Sequence, residues 1–303
     1  MKYENIIYEV DSPVARIILN RPERKNALNW PLYTDLSAAL KEAERDERVK
    51  VIIIKGAGTC FSAGHDMSET MGDAPKHKGP ISWTEGASKG EPVGFQIGVW
   101  NSRAHVQGHI DYDLEIWNLW KPVIAQVHSY CLAGATGIAL SCDMLIASDD
   151  ARLGYPAVRM QGTGDEFVLF CWHVGLKKAK ELAMTGDCLN AEEMLHYGVA
   201  NYVFPRAQLE EKTEKIAQRI ALMSSDALST QKTVVNRTFD VMGFSISFKY
   251  GGEYDSLTPH FLKASEEFRN MRYAKGIKAA LEWRDRLYGG TVTNISETIG
   301  NEE

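Results

Sequence analysis

The chain reads as an α/β fold, and three observations carry that expectation. Short β-branched runs alternate with amphipathic stretches through the first two hundred residues. Two of those runs end in glycine-rich turns, and helical patterns gather beyond them. Ile6 to Val10 and Val14 to Leu19 are the first strands, joined at Asp11-Ser12-Pro13. A polar loop with Arg21, Arg24 and Lys25 leads to a helix from Trp30 to Asp46, whose Leu32, Leu36, Ala39 and Leu40 share one face. Val51-Ile52-Ile53-Ile54 is a buried strand running into Gly56-Ala57-Gly58 and then Phe61-Ser62-Ala63-Gly64-His65-Asp66. Residues 68 to about 100 are rich in Gly, Pro, Lys and Ser and carry Trp83, Phe95 and Trp100; a connection that long reads as a lid over part of a pocket.

A helix from Arg103 to Trp120 precedes the stretch on which the chain is organised. Val123 to Val127 is a buried strand; Leu132-Ala133-Gly134-Ala135-Thr136-Gly137 is a turn of small residues; Ile138, Leu140 and Cys142 continue as a short buried helix. A strand, a glycine turn and a helix start aim free N–H groups at one point, on the positive end of the helix dipole. That point suits a developing negative charge. Strands at Met144 to Ala147 and Arg152 to Gly154 follow, then a helix from Glu166 to Val174. Beyond Leu176 the pattern is helical, at Lys177 to Met184, Ala191 to Tyr197, Gln208 to Met223, Asp226 to Phe239, Pro259 to Met271 and Ala274 to Arg286, with one strand at Asn201 to Phe204. Residues 1–205 therefore form the core, 206–288 a C-terminal helical region, and 289–303 a Thr-, Asn- and Glu-rich disordered tail.

Composition narrows the class. With 44% hydrophobic and 24% charged residues over 303 positions, the chain has ample material for a core. A net charge of −6 argues against a nucleic-acid partner. The five cysteines are odd in number and lack a CxxC pair, so they read as free thiols in a reducing cytoplasm. Neither a signal-peptide core nor a membrane-spanning run is visible. His77, His105 and His109 lack partners at metal-ligand spacing, so no metal site is expected.

The order of motifs resembles the enoyl-CoA hydratase/isomerase family, the crotonase superfamily. The resemblance runs from about Tyr3 to Leu287. It rests on Asn20-Arg21-Pro22 with Asn26-Ala27-Leu28, on Phe61 to Asp66, on Lys121-Pro122-Val123-Ile124-Ala125 and on Gly134 to Asp143. Leu153-Gly154-Tyr155-Pro156, Ala183-Met184-Thr185-Gly186, Ala191-Glu192-Glu193 and Gly198 to Val203 complete it. The resemblance implies a crotonase-like superhelical core of repeated ββα turns, a C-terminal helical trimerisation region, homotrimers or dimers of trimers, and an acyl-CoA substrate with no permanently bound cofactor. It also implies an oxyanion hole for the thioester carbonyl, made by the Ala63 and Gly134 amides. Arg24 and Lys25 fall where the family contacts CoA phosphates, and Ser62, Ala63 and Asp66 around its adenine pocket; Tyr155, a polar group near the same loops, is a further candidate for substrate contact or a satisfied core residue.

Two departures matter. The family's hydratases place water with two glutamates, and those positions here are Gly137 and Ala157. Simple hydration therefore lacks its acid and base, leaving isomerisation, C–C cleavage or decarboxylation. Asp165 and Glu166, at a third position from which isomerases draw their acid or base, are the replacement candidates; either could instead merely cap the helix that follows. His65 is a further candidate, because Gly64-His65-Asp66 resembles the loop of the family's methylmalonyl-CoA decarboxylases. A cyclic β-diketone hydrolase that uses no CoA and a non-catalytic acyl-CoA-binding relative remain the alternatives.

Overall fold

The computed structural model describes residues 3–67, 99–161, 164, 166–257 and 263–299. In chain order the strands are β1 (Ile6–Asp11), β2 (Val14–Leu19), β3 (Val51–Gly56), β4 (Val123–Val127), β5 (Tyr130–Leu132), β6 (Met144–Ser148), β7 (Arg152–Gly154), β8 (Cys188–Asn190) and β9 (Tyr202–Phe204). The helices are α1 (Trp30–Arg45), α2 (Val99–Asn118), α3 (Gly134–Leu140), α4 (Val158–Gln161), α5 (Phe167–His173), α6 (Gly175–Thr185), α7 (Ala191–His196), α8 (Leu209–Ile220), α9 (Ser225–Met242), α10 (Phe244–Leu257), α11 (Lys263–Asp285) and α12 (Ile295–Ile299).

Six strands form one sheet in the order β1-β2-β3-β4-β6-β9, antiparallel at β1/β2 and parallel thereafter. A parallel sheet must be covered on both faces, and the sequence of β3 shows how. Ile52 and Ile54 enter the main core, while Val51 and Ile53 join Leu209 and Ala217 of α8, and Ala221 just after it, on the opposite face. A second sheet, β5-β7-β8, is interleaved with the first along the chain, β5 falling between β4 and β6 and both β7 and β8 before β9. β5 and β8 are three residues each and too short to announce themselves by periodicity.

Each helix has a local cause. Asn29 caps α1 by accepting from the Leu32 amide at 3.0 Å, with Pro31 in the first turn. Asn190 and Glu193 form a reciprocal capping box at α7. Helix α10 is not among the helices expected from the sequence, and its Gly251-Gly252 pair disfavours helix. Packing against α2 overrides propensity: a Cβ at Gly252 would lie 2.3 Å from Ile110 Cδ1, so the glycine is what lets the helices approach. The two last helices expected from the sequence are one kinked α11, broken at Gly276 with φ 84 and ψ 170.

The expected tail also differs. As far as Ile299 it is pinned, because Cys188 donates to Thr293 O at 2.8 Å and Asn294 Nδ2 donates to Cys188 O at 2.9 Å. Arg159, wholly enclosed, holds Asp187, Asp285 and Gly290 O and lies 4.0 Å beneath the Tyr288 ring. Composition registers none of these long-range bonds. The expected lid, with Trp83 and Phe95, lies outside the described residues; its last two positions begin α2.

Candidate active site

The site is built where two loops are laced together by backbone hydrogen bonds. Phe61 donates to His128 O at 2.9 Å, Ser62 to Tyr130 O at 3.0 Å, and Leu132 to Ser62 O at 3.2 Å. On the other side Leu28 donates to Gly64 O and Asp66 to Leu28 O, each at 2.8 Å. The loop 61–66 is thus clamped between residue 28 and β5. Gly64 sits at φ +90, and a Cβ there would lie 2.5 Å from Leu132 O and 3.3 Å from Gly134 N. The two loops meet backbone to backbone, which only glycine permits. Ala133, which turns the chain into α3, holds φ 47 and ψ −128, a conformation that costs a non-glycine residue about 1–3 kcal/mol. Strain of that kind is stored where a chain must be aimed.

This lacing corrects one of the two expected amide donors. The Ala63 N–H is spent on Lys25 O at 3.0 Å, and Gly64 N–H on Ser62 Oγ at 3.2 Å. The next amide, that of His65, has no hydrogen-bond partner among the described residues. Gly134 is the first residue of α3, where N–H groups have no intrahelical acceptor. His65 and Gly134 are therefore the pair of open amides, two residues along from the sequence-based assignment at the first loop. The glycine between them explains the shift: residues two apart on a regular strand face the same way, but Gly64 at φ +90 breaks that alternation, and the Ala63 amide is turned to Lys25 O.

The His65 imidazole folds over Gly134, where a Cβ would fall 1.8 Å from Nε2. Its Nε2 meets Glu166 Oε1 at 2.7 Å, and an ionised carboxylate there only accepts, which assigns the proton to Nε2. Glu166 is fully buried and the His65 side chain 21% exposed, so the pair joins the protein interior to the face of the two loops. His65 is held in a box of rings. His109 lies 4.2 Å away edge-on and itself stacks at 5.3 Å on Tyr33 and 4.6 Å on Trp30. Glu166 precedes α5 but makes no side-chain cap, so the capping alternative does not hold for it. Asp165 lies outside the described residues.

Two acids that the sequence reading missed surround Glu166. Asp113 of α2 is 0% exposed, and both its carboxyl oxygens lack a hydrogen-bond partner among the described residues. Burial first, and the Glu166 charge second, push its carboxyl well above the ordinary range. Asp255 of α10 is pushed the same way by the same two causes. The available signal was an acid on the apolar face of a helix, Asp113 standing between Ile110 and Leu114–Trp117. Among the described residues no cluster could hold a metal ion.

The remaining predicted residues divide into rim and strut. Arg24 and Lys25 are exposed, with Lys25 Nζ 5.5 Å over the Tyr130 ring. Ser62 and Asp66 face inward, a second correction. Ser62 Oγ, wholly buried, donates to Asn26 O at 2.7 Å; Asp66, 4% exposed, pairs with Arg21 at 2.9 Å. They brace the loop rather than line it. Tyr155 is buried too, beside Phe167 and against Gly164, and so supports the segment leading to Glu166.

Residues 14–250 match the family model of enoyl-CoA hydratase/isomerase. The chain belongs to this family. EchA13 of Mycobacterium tuberculosis, named as an enoyl-CoA hydratase, is 36% identical over 249 residues, which is 80% of this chain and 77% of that protein. A trans-2-decenoyl-[acyl-carrier-protein] isomerase of Streptococcus mutans is 29% identical across 96% of this chain and all of its own length. The crystal structure of an enoyl-CoA hydratase/isomerase from Xanthobacter autotrophicus superposes with a TM-score of 0.81 at 30% identity, covering 94% of this chain and 99% of the other. The crotonase-type α/β fold with its C-terminal helices is thereby shown.

Proposed function

We propose that this member of the family is an isomerase that shifts a carbon–carbon double bond in an acyl-CoA thioester through an enolate. One observation carries the reading: the carboxylate beside the two open amides is Glu166, while positions 137 and 157 offer none. A 1,3-proton shift needs one group that both takes and returns a proton, whereas hydration also needs a placed water. In this reading the thioester oxygen lies between the His65 and Gly134 amides. As Glu166 removes a proton from carbon, charge moves to that oxygen; each donor is worth ~3 kcal/mol at the transition state. Glu166 then returns the proton two carbons away, and His65 Nε2–H keeps its carboxylate in place. The isomerase name of the Streptococcus mutans relative supports this choice.

Arg24 and Lys25, exposed beside the first loop, are proposed to meet the CoA phosphates. Assembly into trimers, or pairs of trimers, is proposed from the resemblance and from the exposed Val234, Val241, Met242, Ile246, Tyr250 and Tyr254 on α9 and α10. Among the described residues no helix is long and apolar enough to cross a membrane; a cytoplasmic location and the absence of a resident cofactor or nucleic-acid partner belong to the same proposal.

The test is incubation of the purified protein with cis- and trans-3-enoyl-CoA and trans-2-enoyl-CoA esters in D2O, read by mass and NMR. Isomerisation with deuterium entering the acyl chain supports the reading. Water addition, loss of carbon dioxide, or turnover of cyclic β-diketones with no effect on CoA esters overturns it.

A further inference from the structure

Gly137 stands where the family's first hydratase glutamate would be, and its surroundings show what replaced that side chain. A Cβ built on Gly137 would lie 2.1 Å from Asp113 Oδ2, 2.9 Å from Asp113 Cγ and 2.8 Å from Glu166 Cγ. The volume that a glutamate stem would fill is taken by a carboxyl group arriving from α2, with Glu166 facing it from the loop before α5. The glycine is required by this arrangement: any side chain at 137 would displace one acid or the other.

We propose that Asp113 is a positioning residue of the reaction: its protonated carboxyl, occupying the space vacated at Gly137, donates to Glu166 and keeps one negative charge on the buried cluster. This rests on the isomerase reading of Glu166. Its physical ground is the polar accounting. Asp113 Oδ1 and Oδ2 and Glu166 Oε2 are all buried without partners among the described residues. A buried polar group without a partner costs about 1–3 kcal/mol, and two like charges facing each other in an apolar interior cost more. One proton on Asp113, given towards Glu166 Oε2, relieves both. Among the described residues, the other ionisable groups around the pair are Asp255 of α10, which faces Glu166; His65, bonded to Glu166 Oε1; His109, one turn before Asp113 on α2; and Cys142 after α3, on which Asp113 acts. Asp255 is pushed towards its neutral form as well, and burial pushes Cys142 the same way. No lysine or arginine stands among them. The proton count closes: the Asp113–Glu166 pair holds one proton at rest, two while the substrate is an enolate, and one again after reprotonation.

The experiment combines spectroscopy with kinetics. Infrared difference spectra of protein labelled with 13C at the aspartate carboxyl, at pH 7, should show protonated carboxylic acid, and D113N should lose one such band. D113N should lower kcat by tenfold or more with KM within twofold and shift the acidic limb of the pH–rate profile. D113A/G137D, which returns a carboxyl to the same volume from α3, should recover part of that limb relative to D113A. Absence of a protonated aspartate in the wild-type spectrum, or a D113N profile that overlays the wild type, overturns the proposal. If D113N does not fold, the spectrum of D255N decides: a protonated-aspartate band that survives there supports the proposal, and its complete loss overturns it. If wild-type protein isomerises no thioester, the isomerase reading fails, and the labelled spectrum still decides whether Asp113 holds a proton.

Discussion

Replacing Glu166 by glutamine isolates the proposed base from everything that merely holds it. The amide has the same shape, and its oxygen can still accept from His65 Nε2 at the 2.7 Å separation now held by Oε1. What disappears is the ability to take a proton from carbon. A positioned general base contributes roughly 10²–10⁴ in rate, which is about 3–5 kcal/mol of barrier. The oxyanion donors are main-chain groups of residues 65 and 134 and are untouched, so KM should change little. Stability should move the other way. Glu166 is fully buried, so removing its charge removes the cost of holding a carboxylate out of water. The assay is initial rate on a 3-enoyl-CoA ester beside a thermal melt of each protein. The account predicts kcat lowered 10²–10⁴-fold with an equal or higher Tm. A Glu166→Gln enzyme within tenfold of wild type would refute the reasoning.

Other predictions follow from the same contacts. Gly137→Ala should destabilise by about 1–3 kcal/mol, because its Cβ meets Asp113 Oδ2 at 2.1 Å, and a denaturant titration reads this directly. Asp66→Ala should cost about 3–5 kcal/mol in the same titration by stranding Arg21, and its failure to do so would show the pair to be open to solvent. The folded carboxyl of Asp113 lies above its unfolded value of 3.8, so its contribution is complete below that pH and is lost as pH rises; stability should fall with slope up to about 1.4 kcal/mol per pH unit, a slope that D113N reduces. His128 runs oppositely. Burial lowers it from 6.5 to about 4, so stability falls as pH drops through that window, and His128→Gln should flatten the decline in pH-dependent melts.

The fold was legible wherever one local signal sufficed. Val51 to Ile54 and Val123 to Val127 announced buried strands, and both glycine loops lay where the open amides are. The missing carboxylates at Gly137 and Ala157 were plain in the sequence, and they directed attention to Asp165 and Glu166. What escaped depended on contacts between distant segments. Which of the Ala63 and His65 amides is left open depends on the turn at Gly64, with φ +90, and on Lys25 O, an acceptor on another loop. Asp113 is separated from Glu166 by more than fifty residues and meets it only because α2 crosses α3 at a glycine. Ser62 and Asp66 matched the family pattern in order, but their partners Asn26 and Arg21 turn them inward.

Selective 15N labelling of the histidine, glycine and alanine amides, followed on addition of a non-reactive acyl-CoA analogue, tests the pairing of the two loops most directly. Movement of the His65 and Gly134 amide protons to lower field, with Ala63 unmoved, is the predicted result. A shift at Ala63 with none at His65, or silence at all three while the analogue binds, contradicts it.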